Sequence, residues 1–221
     1  FIIRYKWYQL RKEHDEDKIR FFINTAHDIR TPLSLVMSPI EELKTQNGLS
    51  EKAKYLLDVA GANIRKLNAV TAQLLDFEKI DSRKAKVNIE PINLNYLLSE
   101  ELSCFNNVGE KRGITLHLQV PDEQVVVSAD RHLLELMLDN LMSNACKYTN
   151  QGGKVEVSLT ANKSKAVIRI TDNGIGIPEK EQKNIFTNVY RAENARASQE
   201  TGNGFGLLQV KRIVEMLNGN I

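Results

Sequence analysis

His27 is followed at once by Asp28, and Thr31 and Pro32 stand four and five positions further on. A neutral imidazole is a nucleophile, and a carboxylate next to it can hold one tautomer and take the proton released when the ring attacks an electrophile. Pro32 lacks the amide that would bond the carbonyl of Asp28, so a helix through this stretch is expected to bend just beyond the histidine. The residue types alone leave two readings open, a nucleophilic site and an ordinary surface histidine at the edge of a helical stripe.

A second cluster runs from Asn140 to Tyr148, Asn-Leu-Met-Ser-Asn-Ala-Cys-Lys-Tyr. Asn140 and Asn144 are four apart and so share one helical face, with Lys147 one turn beyond. Amide oxygens and an ammonium facing the same way suit Mg²⁺ and phosphate, although ordinary polar residues on a solvent face would read alike. Asparagine is a poor helix former, and two of them in mid-helix call for a reason. The third cluster is glycine: Asp172-Asn173-Gly174-Ile175-Gly176 ends a strand pattern, and Gly202-Asn203-Gly204-Phe205-Gly206-Leu207 opens a helical one. Such backbone lets amides approach phosphate oxygens at a helix N-terminus. Neither run is a standard fingerprint, because G-x-G-x-x-G would need glycine where Leu207 stands and a P-loop would need Ser or Thr where Val155 stands.

Two kinds of element must position these groups. From Asp15 to about Lys44 the apolar residues Ile19, Phe22, Ile23, Ala26, Ile29, Leu33, Val36, Met37, Ile40 and Leu43 recur at threes and fours. Gln46-Asn47-Gly48 breaks the pattern, and Ser50 with Glu51 starts a second stripe through Ala53, Leu56, Leu57, Ala60, Ile64, Leu67, Thr71, Leu74 and Phe77. The expected product is a long antiparallel helical hairpin. Two helices cannot close a core alone, so pairing of two hairpins into a four-helix bundle is the economical way to bury both stripes. Beyond a charged linker, Ile114–Val120, Lys154–Thr160 and Ala166–Thr171 alternate as half-buried strands. Leu97, Leu98, Leu102 and Phe105, and then Leu133, Leu134, Met137, Leu138, Leu141 and Ala145, keep helical period. A mixed sheet covered by helices on one face is expected, with the polar stretch from Pro178 to Asn203 as a long loop that is either a lid or disordered.

The whole-chain quantities restrict the function further. With 221 residues, 42% hydrophobic and 26% charged, the chain has the composition of a folded globular protein, not of a disordered tail or a disulfide scaffold. A net charge of +2 is too small to attract nucleic acid or an anionic membrane surface globally. Cys104 and Cys146 are far apart, and His14, His27, His117 and His132 form no ligand pair, so neither a zinc site nor a redox pair is expected, and a reducing compartment fits. No run of 18 apolar residues spans a bilayer. Phe1-Ile2-Ile3 followed by Arg4, Tyr5, Lys6, Trp7, Tyr8, Arg11 and Lys12 reads equally as a segment just inside a membrane and as a helix start packed on a partner.

Taken together, Phe22 to Leu33 resembles the H box of two-component sensor histidine kinases, Asn140 to Tyr148 their N box, and Asp172 to Gly176 their first glycine box. Ile185-Phe186 through Tyr190-Arg191 resembles the F box, and Gly202 to Leu207 the second glycine box. Five boxes in this order over residues 15–218 cover nearly the whole chain. Val189, where the F box usually has a second Phe, and Leu208, where a small residue is commoner, depart from the pattern.

The resemblance implies an α plus α/β protein: a helical hairpin forming a dimeric four-helix bundle, then an α/β sandwich ATP-binding domain of the gyrase, chaperone and histidine-kinase type. The expected domains are a juxtamembrane or signalling linker at 1–14, a dimerisation and phosphotransfer hairpin at 15–81, a linker at 82–87 and a catalytic ATP-binding domain at 88–221, cut short at its C-terminus. It implies that His27 is the phosphoacceptor, Asp28 its base and Thr31 the residue that positions water for dephosphorylating a partner. Asn144 would ligate Mg²⁺ with Asn140 beside it, and Lys147 and Arg191 would contact phosphates. Asp172 would accept the adenine amino group, with Tyr148 flanking the base, and Tyr190 of the F box would belong to the cofactor-binding set. Gly174, Gly176, Gly202, Gly204 and Gly206 would shape the walls and the lid hinge. Where the related ATPases carry a glutamate that activates water, this chain has Asn140, which cannot take a proton, so transfer is implied rather than hydrolysis. The implied function is ATP-dependent autophosphorylation of His27 and transfer to a receiver-domain aspartate of a separate or fused response regulator, with receiver phosphatase activity permitted. The implied setting is a homodimer on the cytoplasmic side of the inner membrane below a transmembrane sensor, without nucleic acid. A non-catalytic dimeric scaffold that binds nucleotide and signals through partner contacts is the alternative.

Overall fold

The computed structural model describes residues 25–26, 28–46, 48–81, 87–186, 189–198, 200 and 204–221. His27, Gly202, the first twelve residues and the charged run at 82–86 lie outside these. The chain divides between residues 83 and 84 into two compact units.

In the first unit, α1 (residues 28–44) and α2 (Glu51–Asp81) are joined by a short turn. The helix runs on through Pro32 and Pro39. It ends as Thr45 and Gln46 donate to the carbonyls three residues back, those of Glu42 and Leu43, both at 3.1 Å. Ser50 caps α2 by accepting from the amide of Ala53 at 3.2 Å, as its position ahead of the second stripe predicts. The Lys44 ammonium meets the Asp58 carboxylate at 2.6 Å, which holds the end of α1 against the beginning of α2. Ala26, Ile64, Thr71 and Leu75 are buried, yet Ile29, Val36 and Leu43, seven apart on α1, stay open, as do Leu56, Val59, Leu67 and Val70 on α2. One chain therefore leaves much of both stripes uncovered.

The second unit is α/β. β1 (Glu90–Asn93) leads directly into α3 (Leu94–Arg112), followed by β2 (Thr115–Gln119), β3 (Val126–Ala129), α4 (Arg131–Tyr148), β4 (Lys154–Ala161), β5 (Ala166–Asp172), α5 (Glu193–Ala197) and α6 (Gly206–Met216). β4 is central in a three-stranded sheet, parallel to β2 with Leu116 opposite Val155, and antiparallel to β5 with Val157 opposite Ile170. On β4, Val155, Val157 and Leu159 are buried and the residues between them are not, so one face of the sheet is covered. Leu97 and Leu98 of α3, Leu138 and Met142 of α4, and Val210 and Ile213 of α6 complete that core.

Two features differ from the expectation. β1 and β3 form a separate antiparallel ladder, with Ile92 opposite Val127, that the sequence pattern does not announce. Each is only four residues long, and Pro91 inside β1 argues against a strand by its missing donor. Nor is the stretch from 178 to 203 all loop, since α5 forms within it and Glu181 is buried.

The termini of α3 and α4 follow from local chemistry. Asn93 and Asp130 are the N-caps, accepting from the amides of Tyr96 at 3.2 Å and Leu133 at 3.1 Å. Asp130 uses its other oxygen to accept from the Asn88 amide at 2.8 Å, tying the start of this unit to α4. Asp130→Ala removes both bonds and leaves two donors unpaired. The change should lower stability by about 1–3 kcal/mol, read as a lower urea midpoint with an unchanged far-ultraviolet dichroism spectrum.

Candidate functional site

Helix α4 arranges the N-box residues along one side. Asn140 is buried on the face toward α6, and Asn144, Lys147 and Tyr148 follow at half-buried positions. The Asn140 amide nitrogen donates to the Leu136 carbonyl at 2.8 Å and to Oε1 of Gln209 at 3.2 Å. Its carbonyl oxygen faces Gly206, the first residue of α6: a methyl group there would lie 2.9 Å from Asn140 Oδ1 and 3.6 Å from Asn144 Nδ2. Among the described residues no side chain caps the start of α6, and a helix N-terminus is a kind of position suited to an anion.

The first glycine box docks on the other end of α4. The Ile175 amide donates to the Tyr148 carbonyl at 3.0 Å, and a side chain at Gly174 would come within 2.1 Å of the same oxygen. Asp172 is exposed and accepts from the Gly174 amide at 3.0 Å, which fixes the carboxylate at the mouth of the turn. Gly204 has a left-handed φ of 77° and lies against the Tyr190 backbone, so the two residues the sequence places in different boxes are neighbours.

Between the ends of α3 and α4, Ser198 and Glu200 lies a cleft of roughly 410 Å³, lined among others by Lys111, Arg112, Lys147, Tyr148 and Ile175. Arg112 donates to the Lys147 carbonyl at 2.9 Å and pairs with Glu200 at 2.7 Å. Burial holds the Lys147 ammonium below the usual lysine range, with Arg191 adding to the effect and Glu200 opposing it. Arg191 and Tyr190 also have partners within the chain. Arg191 donates to the carbonyls of Ala195 and Glu200, which makes it the organiser of the segment after the F box. The Tyr190 hydroxyl donates to Glu181 at 2.8 Å, and that bond raises the phenol's pKa.

Asn140, Asn144 and Gly206 thus converge, as do Tyr148, Gly174 and Ile175, and Tyr190 with Gly204. Gly176, with φ 65°, stands in open space. Asp28 and Thr31 are exposed on α1, in the first unit. Sequence reasoning overlooked Arg112, Glu181, Glu200 and Gln209. For Gln209 a signal existed, a polar residue in the apolar run Leu207, Leu208, Val210, Ile213.

Among the described residues, no group of three or more His, Cys, Asp and Glu side chains is placed to hold a metal ion. The Asn140 amide oxygen lying against Gly206 is nevertheless a ligand type that fits a hard cation shared with a phosphate. No helix among these residues is long and apolar enough to cross a membrane.

Comparison with known proteins agrees with this architecture. Residues 17–83 match the His Kinase A (phospho-acceptor) domain, and residues 129–221 match the histidine kinase-, DNA gyrase B- and HSP90-like ATPase. The sensor histidine kinase WalK of Bacillus subtilis (strain 168) is 30% identical over 215 residues, covering 96% of this chain and 35% of WalK. Full-length ShkA in complex with AMPPNP gives a TM-score of 0.78 at 20% identity, covering 90% of this chain and 41% of that one. Histidine kinase ThkA in complex with the response regulator protein TrrA gives 0.63 at 23% identity, covering 97% and 60%. These two share the fold. The chain belongs to the two-component sensor histidine kinases, and it spans about a third of WalK's length.

Two substitutions probe the site. Gly174→Ala forces a methyl group into the Tyr148 carbonyl and should detach the first glycine box from α4, with nucleotide affinity falling more than tenfold by calorimetric titration. Lys147→Met should raise the thermal midpoint of the nucleotide-free chain and weaken nucleotide binding. The sign follows from the lowered pKa, because the fold disfavours the charged form. The penalty operates at neutral pH and is relieved as pH rises through the depressed value toward the usual lysine range.

Proposed function

We propose that this chain is the ATP-dependent kinase core of a homodimeric membrane sensor, which phosphorylates itself on His27 and passes the group to an aspartate of a response regulator. The observation that supports the nucleotide half of this reading is the convergence of Asn140 and Asn144 on Gly206 at the start of α6. ATP is the substrate. Asn144, with Asn140 beside it, would hold Mg²⁺, which when bound supplies neutralising charge at the phosphates. Lys147 adds a fixed cation, Tyr148 flanks the base and Asp172 accepts its exocyclic amino group. Gly174, Gly176, Gly202, Gly204 and Gly206 would shape the walls and the lid hinge, Arg191 would contact the phosphates beside Lys147, and Tyr190 of the F box belongs to the same nucleotide-binding set. Catalysis of this kind is mainly alignment and charge stabilisation.

In the first unit, Asp28 takes the proton that the His27 ring gives up on attack, and Thr31 positions water for the reverse task of dephosphorylating a receiver. Homodimerisation is supported by the open stripes of α1 and α2, since Leu56 and Leu67 are half exposed within one chain. The response-regulator partner is supported by the ThkA–TrrA complex, and ATP by the AMPPNP complex of ShkA. The reading places this core on the cytoplasmic side of the inner membrane, with its sensor elsewhere in a longer protein and its receiver separate or fused.

Incubation with γ-labelled ATP tests the assignment. His27→Gln should abolish labelling and leave nucleotide affinity near that of the parent; persistent label would refute it, and a parent that binds nucleotide without ever taking label would be the scaffold. Asp28→Asn should cut labelling severely because an amide cannot accept the proton. Thr31→Ala should retain labelling within a few-fold and lose receiver dephosphorylation. Leu67→Glu should convert a dimer to a monomer by light scattering, because it places a charge on the open α2 stripe.

A further inference from the structure

We infer that Gln209 is a positioning residue for the nucleotide site, acting through Asn140. The inference rests on the nucleotide reading above and goes beyond it. Gln209 is 1% exposed on α6, three residues after Gly206 and so on the same helical face, among the buried Leu208, Val210 and Ile213. A polar side chain in that setting is costly unless bonded. Its bond is to Asn140, whose amide nitrogen donates to Gln209 Oε1 at 3.2 Å and to the Leu136 carbonyl at 2.8 Å.

The directions of these bonds are forced. The Leu136 carbonyl can only accept, so Asn140 must present its NH₂ group there, and the same group then requires an oxygen from Gln209. Both amide hydrogens of Asn140 are taken by two fixed acceptors on two helices, and the plane of the amide is set. What remains is its Oδ1, which lies against Gly206 at the start of α6, next to the Asn144 side chain. An oxygen there can face a hard cation, whereas a nitrogen cannot. The arrangement carries a cost on the other side: Gln209 Nε2 is buried with no partner. A leucine or methionine would avoid that cost and fill the same volume, so packing alone does not account for glutamine at this position.

The test uses the full chain and a non-hydrolysable ATP analogue, titrated calorimetrically with Mg²⁺ and again with EDTA, together with thermal midpoints. Gln209→Met removes the acceptor and the unpartnered donor at nearly constant volume. It should leave the thermal midpoint unchanged or higher and the EDTA affinity unchanged, and reduce the Mg²⁺-dependent affinity by roughly tenfold, as loss of one buried polar contact implies. The double variant Asn140→Ala/Gln209→Met should bind no more weakly than Asn140→Ala alone. A lowered midpoint with equal losses in Mg²⁺ and EDTA would make Gln209 a packing residue, and an unaltered Mg²⁺-dependent affinity, or losses that multiply in the double variant, would also overturn the inference. If the parent itself shows no Mg²⁺-enhanced binding, the nucleotide reading fails with it; if the parent shows it and Gln209→Met is indifferent, only the inference fails.

Discussion

The carbonyl groups at the end of α4 are the constraint around which the second unit is assembled. A helix leaves its last four carbonyls without partners inside the helix, and burying them unpaired is expensive. Here the partners come from different parts of the chain: Thr149 donates to Ala145, Arg112 at the end of α3 donates to Lys147, and Ile175 in the first glycine box donates to Tyr148. Satisfying one helix end therefore brings α3, the turn after β5 and the N box to a single place. Gly174 follows from the same demand, since the approach of its backbone to the Tyr148 carbonyl leaves no room for a side chain.

The opposite side of α4 obeys a different rule. Asn140 is buried against α6, and the α4–α6 contact combines apolar packing through Leu138, Met142, Val210 and Ile213 with one amide pair. Apolar packing supplies association without direction, and the amide pair and Gly206 supply the direction. Lys147, held below its usual pKa, shows the same trade of stability for a charged, half-buried group in a cleft. A polar site sunk in a core is less stable than an apolar one of the same shape would be, and it is the more sharply defined for it.

The periodic parts of this fold were legible in the residues. Two stripes separated by Gln46-Asn47-Gly48 gave two helices with Ser50 as a cap, and the alternation in Lys154–Thr160 gave the central strand with its one buried face. The asparagine spacing gave the shared side of Asn140 and Asn144 on α4. Short elements were not legible: β1 and β3 have four residues each, too few for a period, and Pro91 points the wrong way. Pairwise links between distant residues were hidden as well. Nothing local to Arg112 tells that its guanidinium closes α4, and Glu181 reads as one more acid in a polar stretch until Tyr190 and the Glu193 amide are seen to donate to it. Gln209 stands out as a polar residue in an apolar run, but helical period alone does not say which neighbour a polar group meets.

The two cysteines stand in contrast, since Cys104 is exposed on α3 and Cys146 is buried in α4, one residue before Lys147. Burial pushes the Cys146 thiol above its ordinary pKa, which leaves little thiolate at neutral pH. An electrophilic reagent will therefore modify Cys104 promptly and reach Cys146 only when α4 lifts from its neighbours. The native sequence thus contains both a handle for a probe and, beside the Lys147–Tyr148 pair, a chemical clock whose rate measures how often the helix bearing the N box opens.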